Sequence, residues 1–134
     1  MYAGVKALIE DEGKLLTVKI DVEGEVFYAL PGGRVDYGEA PLETLEREVR
    51  QKTGIEIEPI EPVGMYHFFM GQDNDGDQVV LTVWDVEWHG KVSVDSEHAE
   101  EDGIIGFEWV KPEDFSDLEN VALELVNLIE ECDI

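Results

Sequence analysis

A mixed β-sheet held between helices, an α/β/α sandwich, is the fold class this sequence predicts, and three observations predict it. Short runs rich in Val, Ile, Leu and aromatic residues, bounded by glycine turns, recur in both halves of the chain. Two other stretches, one from Pro41 and one from Ser116, carry apolar residues at helical spacing. The order is strands, helix, strands, helix, which suits layers of helix packed on sheet. At 134 residues the chain fits a single domain, 1–134, long enough to bury one sizeable core.

Taken in order, residues 2–10 and 14–20 run or alternate apolar around Asp11-Glu12-Gly13, which predicts a β-hairpin with a glycine turn. A third strand, Val26 to Leu30, follows a turn at 21–25 and leads into Gly32-Gly33, where backbone groups can face a ligand. Pro41 suits the first turn of a helix. Leu42, Leu45 and Val49 form its buried stripe, and Thr44, Glu48, Gln51 and Lys52 share a neighbouring face. Gly54 ends it. A short strand near 55–58 follows, and Pro59 and Pro62 bracket a connection.

Residues 63–70 and 78–88 carry the strongest strand patterns, joined through an acid-rich turn at 71–77. That turn lacks the order of a calcium loop and reads as a hairpin tip. Tyr66, His67, Phe68 and Phe69 put aromatic side chains on both strand faces, some for the core and some free to stack on a base. A polar loop at 95–102 precedes a last strand, 104–110. Ser116 with Glu119 forms a capping box for a closing helix whose stripe is Leu118, Val121, Ala122, Leu125, Leu128 and Ile129.

Thirty-three acidic residues against nine basic ones give a formal net charge of −24. Binding to a nucleic-acid backbone is disfavoured by such a surface. The charge fits a highly saline cytoplasm, where the Debye length falls to ~3 Å at 1 M salt. There is no apolar run near the ~20 residues of a membrane span and no basic signal-peptide start, so a soluble cytoplasmic protein is expected. Cys132 is the sole cysteine and forms no intrachain disulfide. Arg34, Arg47, Arg50 and Lys52 place four of the nine basic residues within 19 positions. This clustering reads either as a phosphate-attracting site or as helix-surface pairing with Glu43, Glu46 and Glu48.

The stretch LPGGRVDYGEAPLETLEREVRQKTGI, Leu30 to Ile55, resembles the Nudix box, a loop–helix–loop signature. Gly33, Glu39, Arg47, Glu48, Val49, Gly54 and Ile55 match it at the family's spacing, after a Leu30-Pro31-Gly32-Gly33 lead-in. The Nudix fold is an α/β/α sandwich, and the order of elements agrees along nearly the whole chain. The resemblance implies hydrolysis of a nucleoside diphosphate derivative, with Mg²⁺ or Mn²⁺ neutralising the diphosphate and activating water. It implies catalytic roles for Glu48, Glu39 and Arg47, although Arg47 mostly braces the loop in the family. Metal ligands would be the Gly32 carbonyl, Glu48, Gln51 and a loop glutamate such as Glu100, with Glu97 and Glu101 as alternatives. Arg34, Arg50 and Lys52 would attract the substrate's phosphates. His98 reads as polar surface.

Two positions depart from the pattern, because Gln51 and Lys52 stand where the family has paired glutamates. Gln51 offers a neutral carbonyl oxygen, whereas the Lys52 ammonium has only donors and repels a cation. Two readings follow: a pyrophosphohydrolase with weakened metal binding, or a binding module in which Lys52 replaces the metal's charge and turnover is absent. The substrate and the oligomeric state are left open by the sequence.

Overall fold

The computed structural model describes residues 1–70, 76–94, 102–132 and 134. Strands β1 (Tyr2–Leu8), β2 (Glu10–Asp11), β3 (Lys14–Val22), β4 (Glu25–Ala29) and β5 (Gly32–Arg34) precede helix α1 (Pro41–Thr53). Then come β6 (Glu56–Phe69), β7 (Gln78–His89), β8 (Ile104–Val110), a 3-10 helix (Pro112–Asp117) and helix α2 (Leu123–Glu131).

The strands form two sheets. One is mixed, with order β5-β1-β7-β6, β1 parallel to β7 and the other pairs antiparallel. In the other, β3 pairs with β2, β4 and β8. The mixed sheet lies between the helices, as the sandwich requires. Val5, Ala7 and Ile9 point to one side and pack with Leu45 and Val49 of α1. Leu8, Leu81 and Val83 point to the other and pack with Leu125, Leu128 and Ile129 of α2. Period-two alternation in the strand thus serves two cores at once. No helix among the described residues is long and apolar enough to cross a membrane.

Three expectations are corrected. The run 2–10 is not one arm of a hairpin, because the chain changes sheets at the fully buried Ile9. Only Glu10 and Asp11 pair with β3 across the Glu12-Gly13 turn, both of whose residues have positive φ. Pro59 and Pro62 do not interrupt a connection either. β6 runs straight through them as an edge strand, with register shifts beside both prolines that accommodate their missing N–H groups. The capping box at Ser116 does not form, since Ser116 falls inside the 3-10 helix and the N-cap of α2 is Ala122. Asn120, at φ 54°, breaks the helical path, and its carbonyl accepts from the Tyr28 N–H of β4. Leu118, Val121 and Ala122 still pack on the core, but from extended chain.

Along β6, Tyr66 is buried, Phe68 packs against the core, and His67 and Phe69 face outward in edge-to-face contact at 5.8 Å. The expectation of aromatics on both faces holds. The turn at 71–75 lies outside the described residues.

Candidate functional site

Helix α1 begins at Pro41, buries Leu45 and Val49 completely, and stops at Gly54, whose φ of 76° places it in the left-handed region. Leu42 is exposed, contrary to the expected stripe, and Thr44 and Thr53 are buried in addition. At the helix start Thr44 turns its hydroxyl to Glu39, which anchors the preceding loop.

Arg47 is the centre of this loop's hydrogen bonding. Its Nε donates to Glu39 Oε2 at 3.0 Å and its Nη2 to Glu39 Oε1 at 2.8 Å, a two-point grip. Nη1 donates to Glu48 Oε1 at 3.2 Å and to Gln51 Oε1 at 3.3 Å, and Nη2 also reaches Asp36 Oδ2 at 3.4 Å. The Arg47 guanidinium, followed by the Thr44 hydroxyl, holds the Glu39 carboxyl down to about 2. The hydrogen bond it donates to Glu39 raises the Arg47 guanidinium in turn. Glu39 and Arg47 therefore hold the loop against the helix.

Glu48 sits directly under the glycine pair. A Cβ added at Gly33 would lie 2.7 Å from the Glu48 carboxyl carbon, so a larger residue here would displace the Glu48 side chain. Gly32 is tighter still, with φ 151° and Val5 O only 2.0 Å from where a Cβ would stand. One helical turn beyond Glu48, the Lys52 ammonium donates to the Gly32 carbonyl at 2.7 Å and pairs with Glu48 Oε2 at 3.2 Å. It also lies 3.8 Å from Asp102 Oδ2, at the approach to β8.

Lys6 of β1, paired in register with Gly32, completes the cluster, and its Nζ donates to Leu30 O at 3.0 Å. Desolvation pushes the Lys6 ammonium down to about 7, and the charge of Lys52 adds to this against the opposing pull of Glu48. Neither Lys6 nor Asp102 stands out in the sequence as a site residue. The signal for Lys6 was a lone charge in the apolar run VKALI.

Of the expected site residues, the structure brings together Gly32, Glu39, Arg47, Glu48, Gln51 and Lys52. Arg34 lies on the outer strand with its guanidinium 4.6 Å above the Tyr2 ring. Arg50 is exposed and two residues from both Glu48 and Lys52, about 200° around the helix, so it faces away from the cluster. Glu97, His98, Glu100 and Glu101 lie outside the described residues.

The oxygens expected to hold a divalent ion are already engaged by cations. Lys52 takes Gly32 O and Glu48 Oε2, and Arg47 takes Glu48 Oε1 and Gln51 Oε1. Magnesium needs oxygens at about 2.0–2.1 Å around an open centre. Among the described residues no group of three or more His, Cys, Asp or Glu side chains could hold a metal ion. The donor set as it stands fits an ammonium better than a divalent metal.

Nudix hydrolases generally use divalent metals, which makes this arrangement informative once the family is settled. No curated protein matches the sequence. Among solved structures, the MutT protein of Methanosarcina mazei is 25% identical, with a TM-score of 0.82 over 98% of this chain and 92% of that one. The E. coli ORF135 protein is 25% identical, with a TM-score of 0.78 over 97% and 86%. An ADP-ribose pyrophosphatase from Streptococcus suis shares the fold at 18% identity and a TM-score of 0.69, over 98% and 91%. The model of the NUDIX domain matches residues 2–132. With that match spanning nearly its whole length, the chain belongs to the Nudix domain family.

Proposed function

We propose that this Nudix domain binds the diphosphate of a nucleoside diphosphate derivative, with the Lys52 ammonium serving where the family places a divalent ion. The observation that carries this reading is the position of Lys52 Nζ, 2.7 Å from Gly32 O and 3.2 Å from Glu48 Oε2. A diphosphate brings concentrated negative charge. A fixed ammonium between strand β5 and helix α1 supplies compensating charge without an ion. The Arg47 brace holds Glu48 and the loop residue Glu39 in place. Arg34, stacked on Tyr2 at the open edge of the sheet, would extend the positive surface toward the rest of the ligand. The ligand class follows the family resemblance, and the shared fold with an ADP-ribose pyrophosphatase is consistent with it.

A second reading, metal-dependent pyrophosphohydrolysis, draws on the intact Glu39–Arg47–Glu48 arrangement. It requires Lys52 to leave Gly32 O and Glu48 before Mg²⁺ or Mn²⁺ can enter. A panel of nucleoside diphosphate derivatives, titrated and assayed at molar KCl with EDTA, Mg²⁺ or Mn²⁺, separates the two. The proposal expects metal-free binding and no turnover. Robust turnover with either metal, together with no binding in EDTA, would overturn it in favour of hydrolysis.

A further inference from the structure

Lys6 has no part in the Nudix box, yet it lies against it. It occupies the strand position opposite Gly32, with its stem beside that glycine, whose carbonyl accepts from Lys52. The two ammoniums are held by carbonyls two residues apart, Lys6 on Leu30 O and Lys52 on Gly32 O. Both act electrostatically on the same small region, where Glu48 is the carboxylate that touches Lys52 most closely and also draws on Lys6.

An ammonium has three N–H donors, and Lys6 has one hydrogen-bond acceptor among the described residues. Burial, and after it the charge of Lys52, disfavour the Lys6 ammonium, and Glu48 offsets them only in part. In a chain of net charge −24, two lysines converging on one loop are also unlike their surroundings. An oxyanion offers both lysines further acceptors and adds negative charge to that of Glu48 and Asp102.

On this basis we infer that Lys6 and Lys52 form a two-ammonium clamp for a phosphate or diphosphate group, with Lys6 a ligand-binding residue of the site. The inference rests on the reading of Lys52 given above and extends it. The bound group lies against the Leu30–Gly32 loop and accepts from both lysines, and a singly charged or apolar ligand gains little there.

The test uses the full chain and inorganic pyrophosphate, titrated calorimetrically in EDTA at about pH 6, below the value of about 7 to which burial pushes the Lys6 ammonium. Wild type binds, and Lys6→Met and Lys52→Met each weaken the affinity by about 10- to 100-fold, the loss expected for a charged hydrogen bond. A thermal melt of each variant checks that it folds. Should Lys6→Met not fold, the Lys6 Cε resonance of the wild type, followed by NMR through the same titration, decides alone. It shifts saturably with the calorimetric affinity if Lys6 touches the ligand. Binding that Lys52→Met weakens while the Lys6 resonance stays still and Lys6→Met binds normally would overturn the clamp and leave the Lys52 reading standing. No metal-free binding by the wild type would overturn both.

Discussion

Replacing Gln51 and Lys52 together by glutamate converts the ammonium site into a carboxylate site, and its consequence for metal binding can be worked from the geometry. Lys52 Nζ is within 3.2 Å of Glu48 and 2.7 Å of Gly32 O, so a divalent ion using either oxygen sits within about 4 Å of that ammonium. At that separation a +2 and a +1 charge repel by about 2 kcal/mol at the dielectric of bulk water, and by about 8 kcal/mol at an effective dielectric of about 20. Turning Lys52 into glutamate reverses the sign, a swing of at least about 4 kcal/mol, and Gln51→Glu adds to it. Molar KCl, with a Debye length of about 3 Å, screens most of the lower figure but leaves at least about a tenfold gain in affinity. Calorimetric titration of Mn²⁺ into both proteins measures it. The same double variant should lose metal-free pyrophosphate binding, and hydrolysis should appear with Mn²⁺ if the pocket is still shaped for a diphosphate. Equal Mn²⁺ affinity in the two proteins would refute the placement of positions 51 and 52 at the metal locus.

Leu45 is fully buried between α1 and the mixed sheet, so Leu45→Ala should cost about 3 kcal/mol and lower the melting temperature by about 10 °C. Exposed Glu46→Ala should change little, and comparable losses would mean the packed face is misassigned. Glu39 should titrate near 2 by carbon NMR, against an ordinary value of 4.5. A depressed carboxylate stabilises the fold fully above its unfolded value, so the contribution of the Glu39–Arg47 grip should fade as pH falls from about 4.5 toward 2. A Glu39 midpoint at the ordinary value would show that the grip does not persist in solution. The net charge of −24 should make melting temperature rise steeply with KCl, and a flat or falling response would rule out self-repulsion as the dominant surface effect.

Much of the architecture was legible without coordinates because it is local. Apolar alternation located β3, β7 and β8, helical spacing placed Leu45 and Val49 in the core, and Gly54 marked the helix end by backbone conformation alone. The box residues were legible for the same reason, since Glu48 and Lys52 are one turn apart on any helix that includes both. Tertiary structure decided what local chemistry does not encode. The switch of sheets at Ile9 and the passage of β6 through Pro59 and Pro62 depend on which strands are available to pair. The two lysines depend on it more strongly. Lys52 reaches a carbonyl 20 residues away and Lys6 one 24 residues away, and these partners meet only after α1 and β1 have packed against the glycine loop. Sequence determined that a cation would replace a glutamate in this helix. Only the packed chain determined that its charge would be held on the loop carbonyl, with a second ammonium on a carbonyl two residues away, because electrostatic neighbours are set by distance in space and not by distance along the chain.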